Sequence, residues 1–195
     1  MKQNNCTIVD AYPHQTGLVE DMMETTLTIT TARFGCVEVD ASLIIHFPEG
    51  IIGFEKYQRY VVIQPDSSDG FRWLQSLDDP ILGFPVLEPR LFHPDYAPTI
   101  SDADATFLEL TPQTPSLLLT IVTVPAQNPR EMTANLLGPL VINANTRKGK
   151  QVIVQNEEFT TKHRVLDDLL KSLTGSSSPS AVTNNPVRLL MKNVA

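Results

Sequence analysis

The stretch Phe71-Arg72-Trp73-Leu74-Gln75-Ser76-Leu77-Asp78-Asp79-Pro80-Ile81-Leu82-Gly83-Phe84-Pro85-Val86-Leu87 reads as strand, turn, strand. Successive side chains on an extended chain point to opposite faces. Phe71 and Trp73 therefore share one face, and Arg72 and Leu74 the other. Aromatic side chains dominate cores, so Trp73 is expected inside. Asp78-Asp79-Pro80 ends the run, because Asp side chains satisfy turn backbone and Pro removes a donor.

Similar units lie on both sides of this one. Leu27 to Phe34 is rich in Thr and Ile, Gly35 punctuates it, and Val37 and Val39 then alternate with acids. Leu43 to Phe47, Tyr60 to Gln64, Leu117 to Val124, Met132 to Ala144 and Gln151 to Gln155 are further short apolar runs. Many short β-branched runs with frequent turn signals predict a mainly β fold: a single-domain antiparallel β-barrel or sandwich. The fifteen prolines agree with it, since proline crowds into loops and strand edges. Leu137 to Ala144 and Lys150 to Gln155 should form a hairpin, with Gly149 supplying a positive φ.

Two helices are expected. Ser101-Asp102-Ala103-Asp104 has the form of a capped start, giving a short helix to about Leu108. Val165, Leu166, Leu169, Leu170 and Leu173 fall on one stripe of a C-terminal amphipathic helix, with Gly175 as its stop. The reading divides the chain into a flexible N-terminal extension, 1–25, with a helical turn at Val19 to Met23, a β domain, 26–164, and a C-terminal part, 165–195. That last part holds the helix, a Ser-rich linker over Ser176 to Ser180, and a tail whose Val187 to Val194 could dock on a surface.

Fifteen Lys and Arg stand against 22 Asp and Glu, a formal charge of −7. A net negative chain repels phosphate backbones, which argues against direct nucleic-acid binding. The excess is concentrated. Between Asp66 and Glu109 lie nine acids and only Arg72 and Arg90, whereas Arg147, Lys148 and Lys150 belong to a locally basic stretch. An acidic face would attract a basic partner; a solubilising role is the plainer reading of the same charges. Cys6 and Cys36 form no paired motif and are expected as free thiols of a cytoplasmic protein. No basic start leads into an apolar run, and no stretch reaches the ~18 apolar residues of a membrane span.

The sequence carries few residues in patterns that perform chemistry. None of His14, His46, His93 and His163 has a neighbouring ligand at zinc-site spacing, and His93-Pro94-Asp95 reads as a turn. No nucleophile elbow and no phosphate loop are present. The carboxylate pairs Asp78-Asp79, Asp102/Asp104, Glu157-Glu158 and Asp167-Asp168 look like solvated turn and helix charges. Catalysis, a metal and a cofactor are therefore not expected.

A motif string is more informative. His46-Phe47-Pro48-Glu49-Gly50-Ile51-Ile52-Gly53-Phe54 resembles the opening signature of the flagellar assembly factor FliW family. Trp73-Leu74-Gln75-Ser76, Asp78-Asp79-Pro80 and Gly83-Phe84-Pro85-Val86 are similar to its next block. Asp95-Tyr96 and Ile121-Val122-Thr123-Val124-Pro125 resemble a third. Asn135 to Asn143 with Gly149-Lys150-Gln151 resembles the last, with Gly138-Pro139 where members often have Ala-Pro. The resemblance covers about Ile29 to Arg164.

It implies a FliW-like β fold and a cytoplasmic, non-enzymatic protein that binds two partners in turn. One is flagellin, and the other is CsrA, an RNA-binding repressor of flagellin translation. Neither catalysis nor a cofactor is implied. Within that expectation Phe47, Phe54, Trp73 and Phe84 fill the core. Gly50, Gly53 and Gly83 shape tight turns, and Pro48 and Pro139 complete the motif. Gln75, Asp78, Asp79, Asp95, Tyr96 and Asn135 are the candidate partner-binding residues, because each is polar or amphipathic at a turn or strand end. Turn capping is an equal reading for each. The alternatives are a small-molecule-binding or enzymatic β-barrel and a direct RNA binder using Arg147-Lys148-Gly149-Lys150.

Overall fold

The structure is a computed structural model and describes residues 7–8, 26–65 and 71–174. The expected helical turn near Val19, the stop at Gly175, the Ser-rich linker and the tail lie outside the described residues.

The mainly β expectation is borne out. Among the described residues twelve strands appear in chain order: β1 (Thr7–Ile8), β2 (Thr26–Thr31), β3 (Gly35–Asp40), β4 (Ile45–His46), β5 (Arg59–Ile63), β6 (Arg72–Ser76), β7 (Gly83–Leu87), β8 (Ser116–Thr123), β9 (Thr133–Ala134), β10 (Leu140–Asn143), β11 (Gly149–Gln151) and β12 (His163–Arg164). Two α-helices, α1 (Asp102–Phe107) and α2 (Val165–Thr174), complete the described elements with three single turns of 3-10 helix.

The larger sheet runs β11-β10-β8-β7-β6-β5-β4, with β9 pairing the far end of β8 and β12 pairing β9. All its strand pairs are antiparallel. It curls until its ends touch, where His46 bridges Lys148 and the His46 N–H donates to the Arg147 carbonyl at 2.9 Å. That single bridge is not a ladder, so the barrel is not closed. The second sheet, β1-β3-β2, packs across β5 and β6 as the other layer of a sandwich.

β5 and β6 are covered on both faces, for the reason the alternation dictates. Tyr60 and Leu74 point to a core with Phe47, Ile51, Leu119, Leu140 and Ile142. Val61 and Ile63 point the other way, against Val37 and Val39, with Trp73 beside them. Trp73 is half-buried, with the Phe34 edge at 6.1 Å and the Arg33 guanidinium 3.8 Å from its ring centre. A third core joins Phe92, Tyr96 and Leu108 to Leu136, Val154 and Val165, and so seats α2.

Several expectations need correction. Thr7–Ile8, inside the expected N-terminal extension, pairs parallel to Val37–Glu38. Cys36 is disulfide-bonded rather than a free thiol, and the chain's one other cysteine is Cys6. The pairing of Thr7 with Val37 sets β1 beside β3, an approach that thirty residues of sequence conceal. Phe54 is 38% exposed instead of buried. The hairpin of β10 and β11 forms, and Val152 and Val154 extend it by donating to the Pro139 and Leu137 carbonyls at 3.0 Å. Its positive φ, 57°, falls on Arg147 and not on Gly149. Gly149 is small for another reason: an added Cβ would lie 2.7 Å from the Phe47 ring. Gly83 is likewise no turn residue; it lies in β7, where a Cβ would press on the Gln75 amide at 3.1 Å.

Candidate partner-binding surface

The six candidate residues fall into two groups. Gln75, Asp78 and Asp79 meet at the turn between β6 and β7. Tyr96 and Asn135 meet around Leu136, beside the α2 core, with Asp95 exposed next to them.

In the first group Gln75 is only 2% exposed, and its amide donates to the Leu82 carbonyl at 2.8 Å and the Ser76 carbonyl at 3.0 Å. It holds the turn from inside. Asp78 accepts the backbone N–H groups of Gln58 and Arg59, both at 2.9 Å, and pairs with the Arg59 guanidinium at 2.7 Å. Partial burial pushes its carboxyl upward. The two N–H groups and the guanidinium together outweigh this and hold it below the ordinary range. Asp79 accepts from the Ile81 N–H and the Tyr57 hydroxyl at 2.9 Å each, and these bonds, the Ile81 N–H foremost, lower its carboxyl too.

These bonds fix a neighbouring apolar surface. The turn after β4 carries Ile52, 58% exposed, and Phe54; the turn before β7 carries Ile81, 81% exposed. Tyr57 to Asp79 ties the two turns, and Phe54 stacks edge-on against Phe84 at 5.1 Å. Gly50 permits the first turn. Its φ is +68°, and a Cβ there would sit 2.4 Å from the Glu55 backbone. Gln151 anchors the same turn, accepting the Ile52 N–H at 3.1 Å and donating to the Gly138 carbonyl at 3.0 Å. Apolar groups held out on rigid turns, with carboxylates alongside, suit protein recognition. Ile52 and Ile81 were not among the sequence candidates; an apolar residue in a turn is their only local signal.

In the second group Tyr96 is fully buried, and its hydroxyl donates to the Leu136 carbonyl at 2.6 Å. Burial holds the phenol well above its usual range. Asn135 accepts the Gly138 N–H at 2.8 Å and shapes the turn into β10. Both side chains serve the fold.

The charge pattern in space differs from the pattern in sequence. Lys150 pairs with Glu49 at 2.9 Å and Asp104 at 3.0 Å, and Lys148 with Glu109 at 3.3 Å. Both ammonium groups also lie over the Phe107 ring, at 4.4 and 4.8 Å. The basic stretch is folded onto part of the acidic one, which removes the basis for an RNA-binding patch there. The interior expected to form a ligand-binding mouth is filled by Phe47, Tyr60, Leu74, Leu119 and Leu140.

One constellation escapes linear reading. His93 Nδ1 and His163 Nε2 each lie 2.6 Å from Asp168 Oδ2. The residues come from the turn before Tyr96, from β12 and from the first turn of α2.

Comparison with known proteins gives consistent matches. The family described as FliW protein matches residues 28–165, more than half of the chain. A flagellar assembly factor FliW of Alkaliphilus metalliredigens is 40% identical over 158 residues, covering 80% of this chain and 97% of the relative. One of Leptospira biflexa is 38% identical over 143 residues, covering 73% and 94%. A crystal structure of a flagellar assembly factor FliW superposes with a TM-score of 0.65 at 37% identity, covering 71% of this chain and 96% of the other.

Proposed function

The chain belongs to the FliW family, and on that premise we propose that it binds flagellin in the cytoplasm and antagonises the translational repressor CsrA, coupling flagellin translation to flagellar assembly. Free protein engages CsrA and lifts repression; flagellin, when it accumulates, takes its place.

The observation that supports this most is the exposed Ile52, Phe54 and Ile81 surface beside Asp78 and Asp79. Apolar groups supply contact energy, and carboxylates held in fixed positions supply a rim for a basic partner. An RNA-binding repressor presents such basic groups, because it neutralises phosphates. Binding rather than catalysis fits these carboxylates. Both are held ionised by hydrogen bonds and carry lowered proton affinity, the opposite of a general acid or base poised near neutrality. Among the described residues no helix is long and apolar enough to cross a membrane.

Calorimetric titration of CsrA from the same organism into the full chain, repeated with flagellin bound first, tests the proposal. Saturable binding that flagellin abolishes is expected. A folded sample that binds neither protein overturns it.

A further inference from the structure

His93, His163 and Asp168 are the described residues in which three potential metal-ligating atoms converge, within 4.8 Å of one another. We propose that they bind one divalent transition-metal ion of the zinc class, which pins α2 to the β body. Nothing in flagellin or repressor binding calls for this site, and it stands apart from the Ile52, Phe54 and Ile81 surface.

The donor set selects the ion class. Two imidazole nitrogens and one carboxylate oxygen match zinc and its first-row neighbours, whereas calcium and magnesium require oxygen ligands throughout. The carboxylate offsets one of the ion's two charges. Three protein donors leave a four-coordinate ion one position for water or a partner's side chain.

The surroundings hold the donors in place. The Asp168 side chain is 11% exposed, His163 22% and His93 30%. The Phe159 ring stands edge-on to His93 at 6.0 Å, and the Phe92 ring lies 6.3 Å from His163. Apolar walls around polar ligands limit solvent access and fix ring orientation, as at established metal centres. The three donors come from a turn, a strand and a helix, so an ion there would cross-link elements that the sequence leaves 75 residues apart.

Without the ion, the contacts are two short hydrogen bonds to one carboxylate oxygen. Ligands bonded to zinc at about 2.0–2.1 Å sit roughly 3.3 Å apart in a tetrahedron, so each imidazole nitrogen must draw back from Asp168 Oδ2 by about 0.7 Å, while the three donor atoms, now spread within 4.8 Å of one another, settle to that spacing.

Zinc titrated into the chelator-treated full chain, followed by calorimetry, should give one saturable site per chain. His163→Gln and Asp168→Asn should each weaken it at least about 100-fold, while His46→Gln, on β4 and outside the cluster, should leave it unchanged. Cobalt should give visible d–d absorption, and His163→Cys should add a thiolate-to-cobalt charge-transfer band. That gain of signal keeps the test decisive should the other two variants misfold. Absence of saturable uptake by the folded protein overturns the proposal, as does uptake of equal strength in folded His163→Gln. Either outcome leaves the three residues a hydrogen-bonded cluster only.

Discussion

The Phe47 ring stands where a side chain at Gly149 would begin: a Cβ there would lie 2.7 Å from one ring carbon and 2.8 Å from another. Phe47 is fully buried among Ile51, Tyr60 and Leu140, so its ring has nowhere to retreat. This contact joins the turn after β4 to the start of β11, close to where the ends of the curled sheet meet. Gly149→Ala should therefore destabilise the protein by about 1–3 kcal/mol, the usual cost of overpacking. Urea unfolding measures it. Phe47→Leu in the Gly149→Ala background should recover part of the loss, a coupling that two independent sites would not show.

Two buried tyrosines make opposite predictions. Tyr96 donates its hydroxyl to the Leu136 carbonyl at 2.6 Å, whereas the Tyr60 hydroxyl is buried without a hydrogen-bond partner. Burial, the largest cause, pushes the Tyr60 phenol up to about 12. Tyr96→Phe orphans a buried carbonyl and should cost about 1–3 kcal/mol, while Tyr60→Phe removes an orphan and should be neutral or stabilising. Equal losses in both, measured by denaturant unfolding, would contradict this account.

Asp78 and Asp79 predict the behaviour in acid. Both carboxyls are held below their usual value of 3.8 in the folded protein. A lowered folded pKa contributes stability that is fully present above the unfolded value and is lost as pH falls through the folded one. The stability difference between wild type and Asp78→Asn should thus be constant near neutrality and shrink below pH 3.8. A difference that stays constant down to pH 2 would mean that the Arg59 and Gln58 contacts do not stabilise the ionised form.

Much of the β framework was legible because it rests on local physics. Alternation placed Val37 and Val39 inside, and Ser101 announced α1 by capping it, accepting the Asp104 N–H at 3.1 Å. The motif string located the turns that carry Ile52 and Ile81, but not their exposure, which depends on what packs above them. What stayed hidden depends on encounters between distant segments. Lys148 and Lys150 read as a basic loop until Glu49, Asp104 and Glu109 are found beside them. His93, His163 and Asp168 have no local spacing to betray them, because β12 and α2 must first fold back onto the turn before Tyr96. Gln75 and Tyr96 looked like surface polar groups; their amide and hydroxyl are satisfied by carbonyls that only the completed turns provide.

Charge reversal separates steering from contact. Asp78→Lys with Asp79→Lys should slow association with a basic repressor and flatten its salt dependence, since rim charges act mainly on encounter. The double variant also loses the Arg59 and Tyr57 bonds, so its fold needs checking by circular dichroism first. Unchanged kinetics in a folded double variant would remove these carboxylates from the interface.

Ile81 gives the sharpest test of the surface, because it touches little of the fold. At 81% exposed, its side chain gains almost nothing from folding, and Ile81→Asp should shift stability by no more than about 0.5 kcal/mol. Its backbone N–H, donating to Asp79, is retained in the variant, so the turn persists. A partner that covers Ile81 must instead bury a carboxylate against its own apolar surface, a cost of several kcal/mol unless the charge is paired. Binding of CsrA or of flagellin, whichever uses this face, should therefore weaken by at least about tenfold, or 1.4 kcal/mol, with unfolding unchanged. Titrating both proteins into Ile81→Asp also tells whether one surface serves both partners. Loss of both affinities places the exchange on a single face, and loss of one places the partners on different faces. Retention of both would leave the exposed Ile52, Phe54 and Ile81 surface without a role in either complex.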